Sequence, residues 1–288
     1  MEMIVIARKR IWSKEELDDI IYRYTDLGES TRAIGKVHGT KGDTVSRLLK
    51  ENGIPITKSS VNRLMLHDFF EIIDTEEKAY WLGYMVADGN VAPDTEGTRS
   101  PTIRITSVDI EVVKGIASAV KSGSKISEDR RDKYKNGICY NWGVRSQKMA
   151  DDLAKYGVIP NKTMYNSSLN IELIPEELIR HYVRGLYDGD GSIFYNEEND
   201  LWQSNITSNS EEFLDDLQVV INKSIGRHTT KIITNYNDIY KLPYSERDTV
   251  YLFEWMYKDS TTFLTRKKKL AIRASEAYNE KQRLKKNK

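Results

Sequence analysis

Residues 79–89 read AYWLGYMVADG and residues 181–191 read HYVRGLYDGDG. Each stretch holds a glycine, an aspartate five residues later and a second glycine: Gly83, Asp88 and Gly89 in one, Gly185, Asp190 and Gly191 in the other. Downstream landmarks recur in the same order. Ile105, Thr106 and Ser107 are matched by Ile206, Thr207 and Ser208, with Thr106 18 residues after Asp88 and Thr207 17 after Asp190. Further on, IPNKT places Lys162 74 residues after Asp88, and FLTRK places Lys267 77 residues after Asp190. Three landmarks in one order at nearly equal spacing argue for an internal duplication.

The two motifs also predict how the halves meet. Gly83 and Ala87 are four residues apart, as are Gly185 and Gly189. Small residues at i and i+4 leave one side of a helix bare, so two such helices can cross backbone to backbone. Their ends then converge, each carrying Asp followed by Gly. The glycine suits a left-handed turn after a helix. The aspartate is misplaced for stability, because a negative charge at a helix C-terminus opposes the dipole by roughly 0.3–1 kcal/mol. Two converging carboxylates also repel each other. A hard cation between them removes both objections, and Mg²⁺ is the natural choice, since it keeps most of its waters and binds phosphate oxygens. A single Asp-Gly is an ordinary turn dipeptide; two copies after matching helices point to a shared purpose.

Each half reads as helix, two strands, helix, two strands, helix. In the second half, 192–195 and 201–208 flank a polar turn and form a hairpin. A helix follows at about 210–225 with Phe213, Leu214, Leu217 and Ile221 as its stripe, and further strands are expected near 229–235 and 248–256. The first half shows strands near 102–106 and 138–144 around a helix at about 109–121.

Upstream, three short helices are expected. The first spans 13–25, where Ser13 and Glu16 make a capping box and Leu17, Ile20, Ile21 and Tyr24 recur with helical period. The second runs from Ser30 to about His38, with Ala33, Ile34 and Val37 on one face. The third runs from about Lys41 to Glu51, burying Val45, Leu48 and Leu49. Gly39 turns between the last two, which is a helix-turn-helix pattern. Residues 30–54, STRAIGKVHGTKGDTVSRLLKENGI, resemble the helix-turn-helix units of bacterial recombinases and regulators. The third helix would present Lys41, Thr44, Ser46, Arg47 and Lys50 to DNA. A small helical bundle without a ligand accounts for the same pattern. The domain expectation is 1–57 for this unit, 58–74 for a linker in which Lys58 and Arg63 could touch phosphates, 75–170 for the first repeat and 171–288 for the second.

Composition bounds the rest. The chain has 288 residues, 39% of them hydrophobic and 30% charged, as in a globular protein with a real core. No apolar run approaches the ~20 residues of a membrane span, and MEMIVIARKR has no secretory-leader pattern. Cys139 is the single cysteine, which excludes an internal disulfide or a cysteine zinc cluster and fits an intracellular, cytoplasmic setting. Net charge is +1, but residues 264–288 hold 10 Lys/Arg against 2 Asp/Glu. That basic tail is either a phosphate footprint or a solvated helix end.

WLGYMVADG (81–89) and VRGLYDGDG (183–191) resemble the paired nine-residue motifs of the LAGLIDADG homing endonucleases, in intein- and phage-type members. The resemblance covers roughly residues 75–275, including YGVIPNKT and FLTRKKKL. It implies an α+β fold, a duplicated αββαββα saddle with pseudo-two-fold symmetry, here preceded by the all-α helix-turn-helix unit. It implies a monomeric pseudo-dimer that cuts double-stranded DNA at a long, asymmetric site, with Mg²⁺, or Mn²⁺, as the cofactor. Asp88 and Asp190 become the metal ligands, with the carbonyls of Ala87 and Gly189 beside them. Lys162 and Lys267 match the basic residue at the periphery of the active site, and Ser107 and Ser208 fall where members place a polar group near metal-bound water. Val86 departs from the motif, where the second copy has Asp188, a position that is usually not the essential ligand. Alternating strand residues would read bases or phosphates: Arg104, Tyr195, Gln203, Asn205 and Lys231. Two other readings use the same fold: a non-catalytic DNA-binding regulator, against which both motif aspartates speak, and an intron RNA maturase.

Overall fold

The computed structural model describes residues 11–54, 56, 64–93, 100–130, 137–160, 170–226 and 239–287, with the backbone of 234–236. The chain divides into two compact units: Met1–Leu66 with Lys121–Ser124, and His67–Val120 with Lys125–Lys288.

The first unit holds helices α1 (Lys14–Thr25), α2 (Thr31–Val37) and α3 (Gly42–Glu51). Ser13 and Glu16 form the capping box of α1, and Ser30 caps α2 through the Ala33 amide. Ile20, Tyr24, Ile34, Val45 and Leu49 make the core, with Trp12, Ile21, Leu48, Ile54 and Ile56 packed around it. Gly39 has φ +62, so the turn between α2 and α3 uses the left-handed region that glycine enters freely. Val37 is exposed rather than buried; α2 ends at this residue, and the chain turns so that the His38 ring bonds Asp19 at 2.8 Å instead.

The second unit repeats one plan. The first copy runs α4 (Glu76–Ala87), β1 (Gly89–Ala92), β2 (Thr102–Ser107), α5 (Ile110–Ala119), β3 (Ser127–Arg130), β4 (Ile138–Arg145) and α6 (Gln147–Lys155). The second runs α7 (Ile179–Asp190), β5 (Gly191–Asn196), β6 (Leu201–Ser208), α8 (Glu211–Ile225), β7 (Thr234–Tyr236), β8 (Ile239–Tyr244) and α9 (Glu246–Tyr257), followed by α10 (Thr265–Lys286). The sheets have the same order, β1-β2-β4-β3 and β5-β6-β8-β7, and every pairing is antiparallel. The fold is α+β and duplicated, as the spacing of landmarks implies.

Strand alternation puts one face of each sheet under helices. Ile103, Ile105, Trp142 and Val144 pack inward in the first sheet, and Trp202, Ile206, Leu242 and Tyr244 in the second. Neighbouring positions on the other face remain wet: Asn90, Arg104 and Thr106 on one sheet, Ser192, Phe194 and Lys241 on the other. One expectation fails. Residues 248–256 are not a strand but lie in α9. Their Val, Tyr, Phe and Trp content favours strands, yet Ser245 accepts from the Asp248 amide and caps a helix. Helical spacing then buries Thr249, Val250, Phe253, Met256 and Tyr257. The strand that pairs with β6 is β8, upstream of the cap.

Among the described residues no helix is long and apolar enough to cross a membrane.

Candidate functional site

The centre of the second unit is the crossing of α4 and α7. Ala79 to Met85 and His181 to Asp188 are buried throughout, so these helices are covered on all sides. Their contact needs glycine. A Cβ on Gly83 would stand 2.0 Å from the Tyr182 carbonyl oxygen, and one on Gly185 would stand 1.9 Å from the Tyr80 carbonyl oxygen. The clashes are reciprocal: each glycine meets the carbonyl three residues before the other. The closeness continues to the helix ends. A Cβ on Gly189 would lie 2.4 Å from the Ala87 Cβ and 3.6 Å from Asp88 Oδ2. The crossing inferred from the small-residue spacing therefore brings the last turn of α7 against the Asp88 carboxylate.

Asp88 is the C-cap of α4 and is exposed; Asp190 is the last residue of α7 and is half-buried. The following glycines do not serve as left-handed turns. Gly191 has φ −80, and Gly89 is not among the positive-φ glycines. Each begins a strand directly, and each is required by crowding. A Cβ on Gly89 would come within 2.5 Å of the Met85 carbonyl, and one on Gly191 within 2.4 Å of the Tyr187 ring.

Lys267 is buried beside these ends. Its ammonium donates to the carbonyls of Gly191 at 2.6 Å, Tyr187 at 2.7 Å and Asp188 at 2.8 Å, with Gly189 O at 3.4 Å. Burial lowers its pKa to about 8, while the charges of Asp188, Asp88 and Asp190 oppose that fall. One cation thus lies within electrostatic reach of both motif aspartates.

Asp188 is a hub of the core. It accepts from Tyr80 OH at 3.0 Å, Tyr257 OH at 2.6 Å and the Leu264 amide at 2.7 Å. Burial raises its pKa against those hydrogen bonds. Arg184, fully buried, joins the repeats through Glu76 at 2.7 Å and donates to the carbonyls of Met256 and Thr262. Burial alone would raise Glu76, but the Thr262 and Thr261 amides and Arg184 hold it below the ordinary carboxylate value. His181 is pushed down to about 4 by burial and then by Arg184. It is therefore neutral near pH 7, and its Nδ1 can accept from Arg184.

Both serines take part in strand-end hydrogen bonds. Ser107 Oγ accepts from the Asp109 amide at 3.2 Å, and Ser208 Oγ from the Ser210 amide at 3.1 Å. Thr207 Oγ1 donates to the Asp190 carbonyl at 3.1 Å. On the open sheet faces, Arg104 is exposed and crosses Gly143, and Gln203 and Asn205 share a face with Ser192 and Phe194. Tyr195 is not with them: it pairs with Trp202, contacts that ring at 5.4 Å, and bonds Asp200. The buried Trp202 and Ile206 set the strand phase that puts Ser192 and Phe194, rather than Tyr195, on the face of Gln203 and Asn205. In the first unit, Lys41 is the N-cap of α3, Arg47 is exposed, and Thr44 and Ser46 are half-exposed. Lys58, Arg63, Lys162 and Lys231 lie outside the described residues.

Two carboxylates with backbone carbonyls nearby form a hard-oxygen donor set. Among the described residues no group of three or more His, Cys, Asp or Glu could hold a metal.

Residues 177–255 match the family model of the LAGLIDADG-like domain. Among solved structures, the chain is similar to the homing endonuclease I-WcaI bound to its DNA recognition sequence, at 12% identity over 75% of this chain and 97% of that one, with a TM-score of 0.50. It is also similar to I-DmoI in complex with DNA and Mn, at 16% identity over 66% and 98% with a TM-score of 0.44. A third is full-length DUF199/WhiA from Thermatoga maritima, at 13% identity over 75% and 64% with a TM-score of 0.46. No curated protein matches by sequence.

Proposed function

We propose that this chain, whose second repeat carries a LAGLIDADG-like domain, is a site-specific endonuclease that hydrolyses both strands of duplex DNA. One observation carries the reading: the last turn of α7, which ends in Asp190, packs against the Asp88 carboxylate at a glycine-to-backbone helix crossing. That arrangement gathers two helix ends that each carry a carboxylate opposed to its own helix dipole, a cost that a divalent cation would reverse.

Asp88 and Asp190 would hold Mg²⁺, or Mn²⁺ in its place, with the carbonyl of Ala87 to hand; the Gly189 carbonyl is shared with Lys267. The bound cation supplies Lewis acidity for phosphodiester hydrolysis. The chain supplies the geometry. Thr207 fixes the Asp190 backbone, and Ser107 and Ser208 order the ends of β2 and β6, where they would lie near metal-bound water. The positive charge of Lys267 lowers the cost of bringing two carboxylates together. Arg104, Gln203 and Asn205 read the duplex from the open faces. Their counterparts differ between the repeats, so the target is asymmetric, and one chain supplies both halves as a monomer. Through α3, the helix-turn-helix unit extends the site with Lys41, Thr44, Ser46 and Arg47. A protein with this substrate works inside the cell.

The test is incubation of a duplex library with Mg²⁺, beside Asp190→Asn. Cutting at a defined sequence by the unaltered protein alone supports the reading. Tight binding without cleavage points to a regulator, and RNA splicing without DNA cleavage to a maturase; either replaces it.

A further inference from the structure

The first turn of α10 is built against its own dipole. It carries Arg266, Lys267, Lys268 and Lys269, and cations disfavour a helix N-terminus. The first three are offset by nearby acceptors. Arg266 meets Asp109 at 2.9 Å, and Lys268 meets the Ser260 carbonyl at 3.2 Å and hydroxyl at 3.0 Å. Lys267 reaches back to the end of α7, where the Tyr187 carbonyl also accepts from the Gly191 amide and the carbonyls after it lie beyond the helix's own bonding pattern. An ammonium has three protons. The short contacts to Tyr187, Asp188 and Gly191 account for all three, so none is left for a phosphate. The cation also sits at the negative end of the α7 dipole, where it is favoured.

A second bond runs the opposite way. The Asp188 carboxylate, on that same last turn, accepts from the amide of Leu264, the residue before α10. The end of α7 therefore gives carbonyls to α10 and takes an amide from its start. Asp190 lies between the clamped positions Asp188 and Gly191. In the first motif Val86 stands where Asp188 does, and a valine side chain cannot accept an amide proton.

We propose that Lys267 and Asp188 are positioning residues for Asp190: they clamp the last turn of α7 to the first turn of α10 and fix the backbone that carries this carboxylate. The carboxylate half of the clamp is absent from the Asp88 motif, so the two halves of the centre differ in rigidity. The kinetic part rests on the nuclease reading; the structural part stands without it.

The test uses the full chain and two variants, Lys267→Met and Asp188→Asn; if the first fails to fold, the second carries the test. Hydrogen exchange is followed in peptides covering 184–192 and 82–90. Each variant should speed exchange at 190–192 by about tenfold or more and leave 82–90 unchanged. On a cleavable duplex, each should slow nicking of one strand at least about tenfold more than the other, with the Kd for DNA unchanged. Equal acceleration in both peptides, with both strands slowed alike, would mean a general stabilising role and overturns the clamp. So do unchanged exchange and an unchanged strand ratio in an active enzyme. Local loss of protection in a chain that never cuts DNA upholds the clamp and removes the nuclease reading instead.

Discussion

Gly185→Ala adds one methyl group at the point where α4 and α7 touch. The new Cβ would lie 1.9 Å from the Tyr80 carbonyl oxygen, whereas close C···O contacts settle near 3.3–3.6 Å. The helices must part by roughly 1.4 Å or more to restore that spacing. In an exposed helix the same change would stabilise the fold by about 0.5–1 kcal/mol, because glycine is the poorer helix former. Here overpacking of about 1–3 kcal/mol or more opposes that gain, and the helices have no free face to shift into. We expect a net loss of about 2 kcal/mol, measured as a lower urea midpoint at constant m, and a melting temperature lower by roughly 4–8 °C. Gly83→Ala meets the Tyr182 carbonyl at 2.0 Å and should cost about the same. The double variant should be less than additive, since one separation of the helices relieves both clashes. Cleavage should fall about 100-fold in either single variant, because the aspartates are carried on the displaced ends. A stability equal to or above that of the unaltered protein would refute the crossing as the determinant of the centre.

Three other outcomes follow from the same contacts. Arg184→Met takes the cation from the half-buried Glu76 carboxylate, leaves it the Thr261 and Thr262 amides, and should cost up to about 3–5 kcal/mol, with Glu76→Gln restoring part of it; a double-mutant cycle with no coupling would contradict the pair. His181, at about 4 in the fold against 6.5 for the ordinary group, stays neutral while the unfolded chain takes up its proton. Stability should therefore fall as pH drops from 6.5 to 4, and His181→Gln should flatten that part of the urea-midpoint profile; an unchanged slope argues against it. Arg47→Ala should weaken DNA binding evenly across sequences and lower the salt slope by about 1, whereas a slope equal to that of the unaltered protein would remove α3 from the interface.

What could be read from the sequence was local or repeated. The motif glycines, the capping box and the matching order of landmarks are short-range patterns; they located the helix crossing, the start of α1 and the duplication. What escaped depends on long-range closure. Lys267 is expected at the periphery of the active site, but its burial was not legible, because only its contact with carbonyls about 80 residues away encloses it. Asp188 reads only as a motif position that is usually not the essential ligand, yet its partners come from α4, α9 and the residue before α10. The face that each β5 residue occupies was not legible either. Tyr195 and Phe194 are equally exposed and adjacent, and only the pairing of Tyr195 with Trp202 separates their faces. In α9, β-favouring residues outweighed a serine cap that was present in the sequence.

The central claim is that Asp88 and Asp190 form one cutting centre from two repeats. Strand-resolved nicking of a selected duplex, by the unaltered protein, Asp88→Asn and Asp190→Asn under saturating Mg²⁺, tests it most directly. Both variants should bind the duplex as before, and neither should make the double-strand cut. Double-strand cleavage at the unaltered rate by either variant would contradict it.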